Sequence, residues 1–96
     1  MLLLVTYDVS TTDSAGKKRL SKVAKACENY GQRVQNSVFE CIVDASQELI
    51  LKDILISLID KKKDSLRFYN LGNKYGTKVE HIGNKNTIDQ EGVLLI

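Results

Sequence analysis

The chain has 96 residues, 43% hydrophobic and 27% charged, with a formal net charge of +2, which is one domain of ordinary soluble composition with little margin in its core. Its two cysteines, Cys27 and Cys41, form no CxxC pair and stand apart from the single His81, which argues against both a structural zinc site and a disulfide scaffold. The apolar run from Met1 to Val5 is too short for a signal peptide or a membrane span, so a cytoplasmic protein without a membrane partner is expected.

Leu2 to Val9 is aliphatic and β-branched, with no polar side chain before Thr6, as in a central strand covered on both faces or resting on a partner. The cluster Ser10 to Ser14 supplies a turn and a helix N-cap. Leu20, Val23, Ala24, Cys27 and Tyr30 then keep the spacing of an amphipathic helix, with Lys18, Lys22 and Lys25 on its opposite face. Gly31 is expected to close that helix. From Ser14 to Gln35 there are six basic residues (Lys17, Lys18, Arg19, Lys22, Lys25, Arg33) against one acid, Glu28. Such a block suits a polyanionic partner or, equally, a solvated helix face.

Arg33 to Val43 reads as extended, and Asn36-Ser37 within it could be a tight turn between two strands or a bulge in one. Asp44 to Gln47 fits a capping box, followed by a helical stripe of Leu51, Ile54, Leu55, Leu58 and Ile59. Lys61-Lys62-Lys63 would end that helix favourably for its dipole, with phosphate contact as the alternative. Leu66 to Leu71, Thr77 to Ile82 and Gly92 to Ile96 read as further strands. The order β-α-β-β-α-β with right-handed crossovers implies an α+β, ferredoxin-like sheet with both helices on one face and an extra C-terminal strand, all in one domain over residues 1–96. A bare face on so small a sheet calls for a partner, and a homodimer is the simplest one.

Among residues suited to chemistry, Asp8 stands out, because a carboxylate at the end of an apolar strand must be exposed, paired or bound to a metal. It could equally cap the turn that follows. Two such carboxylates meeting across a dimer axis would repel unless a cation or a proton lay between them, and Mg²⁺ accepts one or two carboxylates. Tyr7 lies on the first strand as a stacking aromatic would, but Ser-Val-Phe-Glu-Cys lacks the basic, glycine-bearing pattern of an RNA-recognition motif. Phe39 reads as core or dimer contact, Cys41 as structural, and His81 as an exposed strand residue. No P-loop, GxGxxG or HExxH motif is present.

Three segments together resemble the CRISPR-associated Cas2 family: Leu3 to Ser10, ending its apolar run in Tyr7-Asp8; Tyr30 to Cys41, with Arg33-Val34-Gln35 before Ser37-Val38-Phe39-Glu40; and Asp64 to Gly72. The tail Gly92 to Ile96 is similar to the last strand of the subtype I-C branch. The resemblance implies a ferredoxin-like homodimer in which the tail, residues 77–96, packs on the partner's sheet. It implies that Asp8 is the catalytic and metal residue, with one Mg²⁺ per dimer held between the two copies. Lys17, Lys18, Arg19, Lys22, Lys25 and Arg33 would bind nucleic acid, with Tyr7, Ser37 and Phe39 as supporting or interface positions. The implied partners are the CRISPR integrase and double-stranded DNA, and several members cleave single-stranded RNA or double-stranded DNA with a metal. The expected role is to bridge the integrase during spacer acquisition. A toxin-like metal-dependent ribonuclease of similar fold, with no integrase partner, is the alternative.

Overall fold

The computed structural model describes residues 1–71 and 78–83. It is an α+β fold in the order β1 (Leu2–Asp8), α1 (Ser14–Glu28), β2 (Gly31–Gln35), β3 (Val38–Ile42), α2 (Ala45–Leu58), β4 (Ser65–Asn70) and β5 (Lys78–Gly83). The sheet has the order β2-β3-β1-β4-β5, and neighbouring strands pair antiparallel throughout the described residues. The first four strands have the ferredoxin-like arrangement, and β5 is the extra strand, added beside β4. The last apolar run, Gly92 to Ile96, lies outside the described residues.

Alternation along β1 sets the two faces of the sheet. Leu3, Val5 and Tyr7 are buried on the helix side with Phe39, Cys41, Leu66 and Phe68, against Val23, Ala24 and Cys27 of α1 and Leu51 and Leu55 of α2. Leu2, Leu4, Thr6 and Asp8 project from the other face, in register with Ile42, Glu40 and Val38 of β3. Ile42 is 65% exposed there. That face is uncovered toward β3, whereas Ser65, Arg67 and Tyr69 of β4 are buried on it.

Helix caps follow the sequence. Asp13 caps α1 by accepting from the Gly16 amide at 2.7 Å. A side chain on Gly16 would start 1.7 Å from the Ser10 carbonyl oxygen, so glycine here lets the loop leaving β1 fold onto the helix. Asp44 and Gln47 form the expected capping box of α2.

Several expectations change. Of the two alternatives the hairpin is found, with Asn36-Ser37 as the turn between β2 and β3, and the single bulged strand is not; a register shift does occur, but within β2, between Arg33 and Gln35. Gly31 does not close α1: Asn29 is the C-cap and Gly31 opens β2, where a Cβ would stand 1.8 Å from the Glu40 carbonyl oxygen. Its role is close approach of two strands, not a left-handed cap. Ile54 of the α2 stripe is exposed while Ile56 packs on the core. Lys61 to Lys63 lie beyond α2, whose last turn contains no basic residue. His81 is partly buried, with Nε2 2.7 Å from Ser65 Oγ; it lies on a strand as expected but is not exposed. Among the described residues no helix is long and apolar enough to cross a membrane.

Candidate metal and nucleic-acid site

Asp8 is the last residue of β1 and is exposed, opposite Ser65 of β4. Its strand is too apolar to accept a carboxylate anywhere but at this end, where water solvates it. It lines a cavity of about 200 Å³ with Thr6, Tyr7, Ser37, Val38, Ser65 and Arg67. Ser37 reaches this cavity because β1 continues its pairing past the hairpin, the Tyr7 amide donating to the Ser37 carbonyl at 2.9 Å. Arg67 is buried and donates to the Tyr69 hydroxyl at 3.0 Å. The Asp8 carboxylate makes no hydrogen bond or ion pair with the described residues.

These residues fit a magnesium ion as half a site. The described residues contain no group of three or more His, Cys, Asp or Glu side chains placed to hold a metal, and among them Asp8 is the one carboxylate that lines this cavity. Mg²⁺ keeps several waters and takes one or two carboxylates, which an exposed, unpaired Asp8 and its copy in a second chain would supply.

Directly behind Asp8 lies a buried charged network that sequence reasoning missed. Asp64, with no exposure, accepts from Arg19 Nε at 2.8 Å, Arg19 Nη2 at 3.2 Å, the Asp60 amide at 3.0 Å, and the Tyr7 hydroxyl. Burial opposes ionisation of Asp64, but the hydrogen bonds from Arg19, Tyr7 and the Asp60 amide outweigh it and hold the carboxyl below its ordinary range. Burial and the adjacent carboxylate push the Tyr7 phenol upward, so it remains a donor. Tyr7 therefore anchors the strand end from the helix side while Asp8 faces out. A signal was available: Tyr7 shares the face of Leu3 and Val5, and a buried tyrosine hydroxyl needs a partner.

The other basic residues divide into two sets. Lys17, Lys18, Lys22 and Lys25 are exposed on α1, and among the described residues none of them forms an ion pair. Lys17 and Lys25 line a groove of about 340 Å³ with Leu20, Ser21, Ala24, Glu28 and Arg33, so the α1–β2 packing brings Arg33 to the helix lysines. Arg33 Nε donates to the Asn36 carbonyl at 2.8 Å, and its guanidinium lies 5.7 Å from the centre of the Phe39 ring. Phe39 is fully buried and supports Arg33 from below. Arg19 differs: two of its nitrogens are engaged by Asp64, and it neutralises that carboxylate.

A family model described as CRISPR associated protein Cas2 matches residues 1–79. A Halalkalibacterium halodurans protein named CRISPR-associated endonuclease Cas2 is 67% identical over 95 residues, covering 99% of both chains. A CRISPR-associated endoribonuclease Cas2 of Nitratidesulfovibrio vulgaris is 55% identical over 96 residues, covering 100% of this chain and 94% of that one. The crystal structure of Streptococcus pyogenes Cas2 at pH 6.5 superposes with a TM-score of 0.74 at 57% identity, covering 77% of this chain and 89% of that one.

Proposed function

The chain belongs to the family of CRISPR-associated Cas2 proteins, and from that premise we propose that it is a cytoplasmic adaptation protein whose homodimer holds duplex DNA for the CRISPR integrase during spacer acquisition. The observation that carries this reading is the exposed lysine face of α1, which among the described residues has no ion-pair partner of its own. Ammonium groups that break no ion pair to do so can neutralise a phosphate backbone and release its counterions. They position a duplex without reading its sequence. The second copy is supported by Ile42, which is exposed, and the partly exposed Leu2, Leu4 and Val38 around it on the face away from the helices.

Metal-dependent cleavage is a second reading, favoured by the unpaired Asp8 carboxylate on the rim of a cavity. A Mg²⁺ ion held there would lower the pKa of a bound water and neutralise charge developing on a phosphate. Asp8 would hold the ion, and Ser37 and Ser65 line the same cavity, the Ser65 hydroxyl being held by His81 Nε2 at 2.7 Å. Apart from Asp8, no carboxylic acid or histidine among the described residues lines that cavity, so none of those lining residues is a ready general acid. Holding the duplex is therefore the role the side chains support best.

Reversing Lys18 and Lys22 to Glu tests it. Duplex DNA binding should weaken, and the slope of log affinity against log salt should flatten by roughly 0.9 for each lost contact. Sedimentation should still give a dimer. An unchanged slope would reduce the lysine face to solvated surface.

A further inference from the structure

Lys61, Lys62 and Lys63 remain outside the site described so far. They are exposed, and among the described residues none of them forms an ion pair. Their position beyond the last turn of α2 leaves them little of the helix dipole to complement, since that effect fades within one turn. Yet the backbone carrying them is fixed. Asp60 Oδ1 accepts from the Lys62 amide at 2.9 Å and the Lys63 amide at 3.3 Å, and the Asp60 carbonyl accepts from the Lys63 and Asp64 amides at 3.1 and 2.7 Å. Three flexible ammonium groups thus stand on a pre-set turn.

That turn is joined to α1 through a single carboxylate. Asp64 Oδ2 receives both the Asp60 amide at 3.0 Å and Arg19 Nε at 2.8 Å. Lys22, three residues after Arg19, is its neighbour on the helix surface, and Lys18 lies one turn back from Lys22. Basic side chains therefore run from the turn, across the Arg19–Asp64 pair, onto the lysine face of α1. Arg19 and Asp64 cancel each other's charge, and the other acid of the turn, Asp60, uses its carboxylate on the Lys62 and Lys63 amides. The run crosses the end of the sheet where Asp8 terminates β1, because Ser65, next to Asp64, is paired with Asp8.

We propose that the Lys61–Lys63 turn is a second phosphate-binding element, continuous with Lys18 and Lys22 of α1, so that one duplex backbone is held across both. This rests on the reading of α1 as a nucleic-acid surface. Arg19 and Asp64 act in it as positioning residues that set the turn against the helix. The contact is to phosphate, so it tightens binding on any sequence alike.

The test is the salt dependence of binding to a duplex DNA of arbitrary sequence by the full chain. Three proteins are compared: the wild type, the triple variant Lys61→Gln/Lys62→Gln/Lys63→Gln, and the double variant Lys18→Gln/Lys22→Gln. The triple variant should bind more weakly at low salt, with the log–log slope flattened by about 2, corresponding to at least two contacts at roughly 0.9 each. Its thermal unfolding should match the wild type, since the exchanged side chains are exposed. A flattened slope in the double variant with a wild-type slope in the triple variant would overturn the second element and leave the α1 surface standing. A wild-type protein without salt-dependent duplex binding would overturn the α1 reading and this one with it.

Discussion

A fully buried carboxylate is costly unless its oxygens are satisfied, and Asp64 meets four donors from three separate parts of the chain. Replacing it with Asn keeps the shape but places an amide NH₂ against groups that donate. We expect Asp64→Asn to lower the free energy of unfolding by about 3 kcal/mol, as for breaking one side of a buried pair. The pH dependence has a definite sign. The folded-state pKa of Asp64 lies below its unfolded value of about 3.9, so its contribution is whole above that value and disappears as pH falls through the lower, folded one. Denaturant unfolding of wild type and variant over a pH series should show a constant gap at neutral and mildly acidic pH that narrows below about pH 4. A gap independent of pH would mean that the ionised form is not what stabilises the fold. Asp8 was legible in the sequence because an acid interrupts an apolar run. Asp64 was not, because it sits in a polar stretch beside Lys61 to Lys63, and nothing local marks it as buried.

At the level of elements, both helices were legible from caps and periodicity, because Asp13, Asp44 and Gln47 act through local backbone contacts. The hairpin was harder. The bulge between Arg33 and Gln35 breaks the alternation that identifies a strand, and β2 is exposed along its whole length, so it has no apolar face to read. Gly31 was assigned to the helix because glycine commonly follows one, yet the constraint on it comes from Glu40, nine residues away and visible only once the strands pair. Gly31→Ala should therefore destabilise the protein by about 1–3 kcal/mol, the usual range for forced overpacking. Hydrogen exchange should speed up first in the β2 and β3 amides, with α2 little affected. Equal loosening of both helices would contradict a local role.

For the whole molecule, the ferredoxin-like order follows from the element sequence and crossover handedness, while the two faces of the sheet depend on register. Register puts Tyr7 with the core and Asp8 on the opposite face, one residue apart, and so separates structural anchoring from the exposed carboxylate. The basic block was legible as charge, but its division was not. Folding assigns Arg19 to Asp64, brings Arg33 over Phe39 beside Lys17 and Lys25, and leaves Lys18 and Lys22 exposed. If the dimer's contribution is geometric, the carboxylate and the lysines should be separable in one protein. Asp8→Asn preserves shape and removes the charge that would hold Mg²⁺, while leaving every basic side chain in place. The decisive measurement is spacer integration and nucleic-acid cleavage by a single Asp8→Asn preparation, reconstituted with the integrase. Integration at the wild-type level, with any metal-dependent cleavage abolished, is the result expected of a scaffold, and loss of integration together with cleavage would contradict it.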